Sequence, residues 1–174
     1  MTPEAQASAL PTPSLRRRLA AFIYEGVLLF GVLMIAGLVY GLATQQRHAL
    51  VGQHGLQAFL FMVLGLYFTW FWTHGGQTVA MRTWHVRLLT SAGGPVPTGR
   101  AWLRYLLSWL WFMPALVVAF LADWHGGAQI AAALFIGVLG YALLARLNQQ
   151  RQFLHDLISR TRLVYSPTPR RKPK

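Results

Sequence analysis

The chain has 174 residues, 55% of them hydrophobic and only 11% charged, with a formal net charge of +12 and no cysteine. A soluble domain carries about a quarter charged residues, so the deficit points to lipid as the solvent, and the missing thiols exclude disulfides, thiolate catalysis and cysteine-ligated metal. The basic residues stand in clusters separated by long apolar runs, a pattern that fits membrane topology and anionic headgroups and not a nucleic-acid-binding surface.

Residues 1–15, small and polar with three prolines, predict a disordered tail ahead of a single domain over 16–165. Arg16, Arg17 and Arg18 precede an apolar run over 19–42, whose roughly 36 Å as a helix crosses a ~30 Å hydrocarbon core with some tilt. Further runs over 56–72, 102–121 and 130–147 are near the minimum spanning length, and Pro114 inside the third predicts a kink. The expected fold is an all-α, four-helix transmembrane bundle. With the amino terminus cytoplasmic, 15 of the 16 Lys and Arg residues lie inside and only Arg47 lies outside. Positive-inside bias therefore places both termini in the cytoplasm of a bacterial inner membrane protein.

Between the second and third runs, the stretch from Trp84 to Leu89 is rich in strand formers and is followed by the turn signal Ser91-Ala92-Gly93-Gly94-Pro95. A second strand-like patch, Thr161 to Tyr165, would pair with it as a small antiparallel element, although either piece reads as readily as loop. Before it, the segment around Arg151, His155 and Asp156 predicts a short interfacial helix on the inner membrane face. Residues 166–174 predict a disordered basic tail that meets anionic lipid.

Four acidic residues are present, of which Glu25 and Asp156 stand in chemically informative places. Glu25 lies inside the first helix, two turns beyond Arg18 on the same face. A carboxylate at that depth is costly unless paired, hydrated or protonated. Two readings stay open: a structural ion pair with Arg18, Arg104 or Arg151, and a proton- or cation-binding group. His155 next to Asp156 invites an acid/base reading, but adjacent helical residues point apart, which favours a structural role. No nucleophile, base and orienter come together, so an enzyme is not expected. Histidines are not paired across helix centres, so no haem, other cofactor or metal is expected. Gly37 with Gly41, and Ala133 with Gly137, are small-residue pairs that let helices approach closely. They suit internal packing and leave a homo-oligomer open.

These residues resemble the RDD family of small bacterial membrane proteins, named for one arginine and two aspartates. The Arg-Leu-Ala-Ala opening is present as Arg18-Leu19-Ala20-Ala21, with Glu25 where the family has its first aspartate. Gly76-Gln77-Thr78 matches the loop motif, Ala80 and Met81 replace its Gly and Lys, and Arg104 matches the arginine opening the next helix. Arg151-Gln152-Phe153-Leu154-His155-Asp156, followed by Thr161-Arg162-Leu163-Val164, matches the closing motif. The resemblance implies a multi-pass membrane protein with Arg18, Glu25, Arg104, Arg151, His155 and Asp156 in one charge network. It also implies a transport-related role, including cation or proton exchange, against which a non-transporting scaffold or assembly factor stands as the alternative. Expected partners are membrane lipids and their anionic headgroups.

Overall fold

The computed structural model describes residues 10–45, 53–147 and 152–166, with the backbone alone over 144–147. The expected ion-pair partner Arg151, most of the expected terminal tails and the outer Arg47 lie outside the described residues. Residues 10–14, part of the expected N-terminal tail, lie against a strand: Tyr165 donates its backbone N–H to the Pro11 carbonyl at 2.8 Å.

Helix α1 runs Leu15–Thr44, long enough at roughly 45 Å to cross a bilayer. It begins where Ser14 accepts the Arg17 amide proton at 3.4 Å, satisfying one of the orphan donors of the first turn. Helix α2 runs Gln53–Thr73. The loop then forms a one-turn helix α3, Val79–Thr83, a strand β1, Val86–Thr90, and an amphipathic helix α4, Thr98–Ser108. A 3-10 turn, Trp109–Trp111, leads to α5, Met113–Leu121. The two helices meet at a bend of 41°. Pro114 therefore does not kink a continuous helix, as expected, but sits in the first turn of a new one, where its missing N–H costs nothing. Helix α6 runs Gly127–Leu147, α7 is the single turn Leu154–Ile158, and β2 is Thr161–Tyr165.

The protein is mostly helical. Among the described residues, α1 and α2 are long and apolar enough to cross a membrane unaided, a third span results if the bent α4–α5 pair counts as one, and Gly127–Leu143 is a shorter apolar helix. That falls short of four equal helices in a bundle. Strands β1 and β2 pair antiparallel, with Leu88 opposite Leu163 and Thr90 opposite Thr161. The strand-like patches thus do form the small β element.

The packed core lies at one end of the molecule, where Trp72, Tyr105, Trp111, Tyr141 and Phe153 gather beneath Val86, Leu88 and Leu163 of the strands. Away from it the helices carry outward-facing apolar side chains, among them Ile35, Leu38, Leu42, Phe120 and Ile136. Large contiguous apolar surface of that kind suits lipid and not water. Helices α5 and α6 approach closely at Gly137, where an added Cβ would lie 2.8 Å from that of Ala115. Gly137 of the small-residue pair on α6 is thus used in internal packing, whereas a Cβ on Gly37 or Gly41 would meet nothing within 4 Å.

Candidate functional site

At the core end, five charged or titratable side chains from three elements are buried: Arg18 and Glu25 on α1, Arg104 on α4, and His155 and Asp156 on α7. The spacing of Arg18, Ala21 and Glu25 places all three on the buried face of α1. Asp156, with no exposed surface, accepts a hydrogen bond from Arg104 Nε at 2.8 Å. The Arg104 guanidinium also lies 4.3 Å above the Trp72 ring, so a desolvated cation gains a carboxylate and an aromatic face together.

His155 does not point away from its neighbour as expected. Its Nε2 lies 3.5 Å from Asp156 Oδ1 and 3.4 Å from an Arg104 nitrogen. Its Nδ1 lies 3.0 Å from the Tyr141 hydroxyl, which also accepts the His155 backbone N–H at 3.1 Å. Arg104 can only donate, so Nε2 accepts from it, and Nδ1–H donates to the Tyr141 oxygen. The ring is stacked within 15° of both Tyr141 and Phe153. Burial pushes the His155 pKa down to about 4, with Arg104 and Arg18 acting in the same direction and Asp156 opposing. The imidazole is therefore neutral near pH 7. Helix α7 turns His155 and Asp156 into the protein and leaves Leu154, Leu157 and Ile158 exposed.

Glu25 is not paired with an arginine among the described residues. Its Oε1 accepts a hydrogen bond from the Tyr67 hydroxyl of α2 at 2.7 Å, and its Oε2 accepts one from the Thr78 hydroxyl. The Thr78 oxygen in turn caps α3 by accepting the Met81 amide proton at 3.2 Å. One carboxylate thus ties α1 to α2 and to the start of α3.

The two glutamines of the recognised motifs close the edges of the β1–β2 ribbon. Gln77 donates its amide to the Val86 carbonyl at 2.8 Å, and the Gly76 carbonyl accepts the Leu88 N–H at 2.7 Å. Gly76 has a φ of +73°, and an added Cβ would collide with the Leu88 carbonyl, so only glycine fits there. On the other edge, the Gln152 side chain pairs with both backbone groups of Leu163 at 3.1 Å, as a neighbouring strand would. It also reaches Thr12 Oγ1 at 3.2 Å. A two-stranded ribbon is marginal alone; here both open edges are covered.

Arg18 differs from the other charges. Its guanidinium lies 4.4 Å over the Phe153 ring, but its Nε and Nη1, like Asp156 Oδ2, have no hydrogen-bond partner among the described residues. Arg18, Glu25, Arg104 and His155 border a cavity of about 410 Å3 with otherwise mainly apolar walls. The structure thus gathers every expected charged residue it describes. Sequence reasoning missed Tyr67, Tyr141 and the edge role of Gln152; a tyrosine inside an apolar run is the available signal, since a buried hydroxyl requires a partner.

Asp123 and His125 form an exposed pair at 3.6 Å, and no cluster of metal-ligating side chains occurs among the described residues.

Compared with known proteins, the chain is matched over residues 12–160 by the model of the RDD family. No curated protein and no solved structure matches it.

Proposed function

The chain belongs to the RDD family, and from that premise we propose that it works as a multi-pass membrane scaffold of the bacterial plasma membrane. It crosses four times, with both termini and the β ribbon at the cytoplasmic face. The positive-inside distribution supports that orientation. The bent α4–α5 pair and α6 supply the third and fourth spans. The basic cytoplasmic face then presents arginines to anionic headgroups or to a partner protein.

The single observation that carries this reading is how the motif residues are used. Gln77 and Gln152 cover the ribbon edges, Arg104 and Asp156 bond each other, and Glu25 spends both oxygens on the Tyr67 and Thr78 hydroxyls. Side chains bonded across elements hold a shape. That is what a docking platform needs.

One observation favours a second reading, proton-coupled or cation transport with Glu25 as the ion-binding carboxylate: Glu25 borders the cavity alongside Arg18. Intramembrane carboxylates mark ion pathways in many transporters. Ion and proton flux in liposomes holding the purified protein separates the two. The scaffold reading expects no flux under sodium, potassium or proton gradients, for the wild type as for Glu25→Gln. Flux that Glu25→Gln abolishes would replace it with transport.

A further inference from the structure

We propose that the cavity at the core end is a binding site for one anionic amphiphile, an acyl chain bearing a phosphate or carboxylate headgroup that is received by Arg18. This goes beyond attraction of a basic face for lipid, because it assigns a single site and a residue. It rests on the membrane reading above.

Arg18 brings unsatisfied donors to the cavity lining. Arg18 keeps only 6% of its surface exposed, and Nε and Nη1 have no hydrogen-bond partner among the described residues. A guanidinium taken out of water without partners is costly, and a bidentate oxyanion is the group its planar fork fits best. The neighbouring charges are already committed. Arg104 is bonded to Asp156, and Glu25 accepts two hydroxyl hydrogens. Two arginines thus stand against two carboxylates, and of the two arginines that border the cavity Arg18 keeps open donors.

The walls select what accompanies the anion. Leu29, Phe68 and Phe112 line the cavity, which continues to Phe22 and Ile23. Those two are 38% and 66% exposed on the outer surface of α1, the surface that meets lipid. A cavity that joins an under-bonded guanidinium to apolar walls with residues exposed on α1 suits neither a hydrated inorganic anion nor a metal cation. Its volume and its mix of apolar walls with a few convergent polar groups fall in the range of small-molecule sites. An amphiphile satisfies both ends, entering sideways from the leaflet with its headgroup at the level of Arg16 to Arg18.

The test uses the tryptophans already in place, since Trp72, Trp109 and Trp111, three of the seven in the chain, border the cavity. The full-length protein is reconstituted in phosphatidylcholine vesicles, and tryptophan quenching is measured with dibrominated phosphatidylglycerol, dibrominated phosphatidylcholine or dibrominated stearic acid. The expected result is a saturable excess of quenching by an anionic probe, corresponding to a preference of about tenfold over phosphatidylcholine. Excess from phosphatidylglycerol identifies a phospholipid as the source, and excess from the stearate alone identifies a free fatty acid; either supports the site. Arg18→Gln should remove the excess while Arg18→Lys retains part of it. Gly26→Leu is the second variant: Gly26 borders the cavity, an added Cβ there meets nothing within 4 Å, and leucine favours the helix. It should fill the acyl portion and lower the excess with Arg18 intact. Equal quenching by charged and zwitterionic probes, or an excess that survives both Arg18→Gln and Gly26→Leu, would overturn the proposal. Absence of quenching by every lipid would overturn the membrane reading along with it.

Discussion

The two halves of α1 are held by different physics. In its first turns Arg18, Ala21 and Glu25 are buried, and the carboxylate is bonded to hydroxyls from α2 and the loop. In its second half Ile35, Leu38 and Leu42 are 68%, 65% and 72% exposed, and Gly37 and Gly41 face open space. The difference separates two requirements on a membrane chain. Lipid asks only that a residue be apolar, so the exposed half tolerates many sequences. The polar end needs specific partners for its buried donors and acceptors, because each one left alone costs about 1–3 kcal/mol.

That contrast is sharpened most by breaking the buried ion pair. Asp156→Ala leaves the Arg104 guanidinium buried without its carboxylate, and the expected loss of stability is about 3–5 kcal/mol. Thermal unfolding of the detergent-purified protein measures it, and a loss within the noise would show that Arg104 finds another partner.

Acid should act on the same region. His155 is neutral when folded, with a pKa of about 4 against 6.5 for the free side chain. The unfolded chain takes up a proton as pH falls below about 6.5, whereas the folded chain does so only near 4. Stability is therefore fully present above that window and falls as pH descends through it, by at most about 3 kcal/mol in all. His155→Gln should flatten this part of a stability-versus-pH curve.

A smaller effect is expected at the ribbon edge. Gln152→Glu removes the donor to the Leu163 carbonyl while keeping the acceptor, and it brings a charge to a buried position. The expected cost is about 1–3 kcal/mol, read from denaturant unfolding against Gln152→Met, which removes both bonds without adding charge. The smallest effect belongs to the exposed half. Gly37→Ala should change stability by less than about 1 kcal/mol, and in the favourable direction, since alanine is the better helix former and its methyl meets open space. A loss there would reveal a contact at Gly37 with a second copy of the chain.

The same division explains what the sequence made legible. Apolar runs are a one-dimensional signal, so α1, α2 and α6 lie close to the stretches expected from hydropathy alone. The third run was legible only as kinked: Pro114 marks a disturbance, but whether the chain bends through it or restarts is decided by the 3-10 turn packed at Trp111. Both strand patches were visible, yet the order that makes them stable comes from glutamine side chains acting as strand edges, which leave no periodic trace. Arg18 and Glu25 could be placed on one face by counting turns. Glu25's actual partners lie 42 and 53 residues further along, so nothing local distinguishes a hydroxyl partner from the arginine expected there.

Amide hydrogen exchange on reconstituted protein, wild type against Asp156→Ala, tests the claim that the polar end is held by its side-chain bonds and the rest by lipid. The account predicts exchange faster by on the order of a hundredfold at Leu163 and across α7, with residues 31–42 of α1 unchanged. Equal acceleration along the whole chain, or none at Leu163, would contradict it.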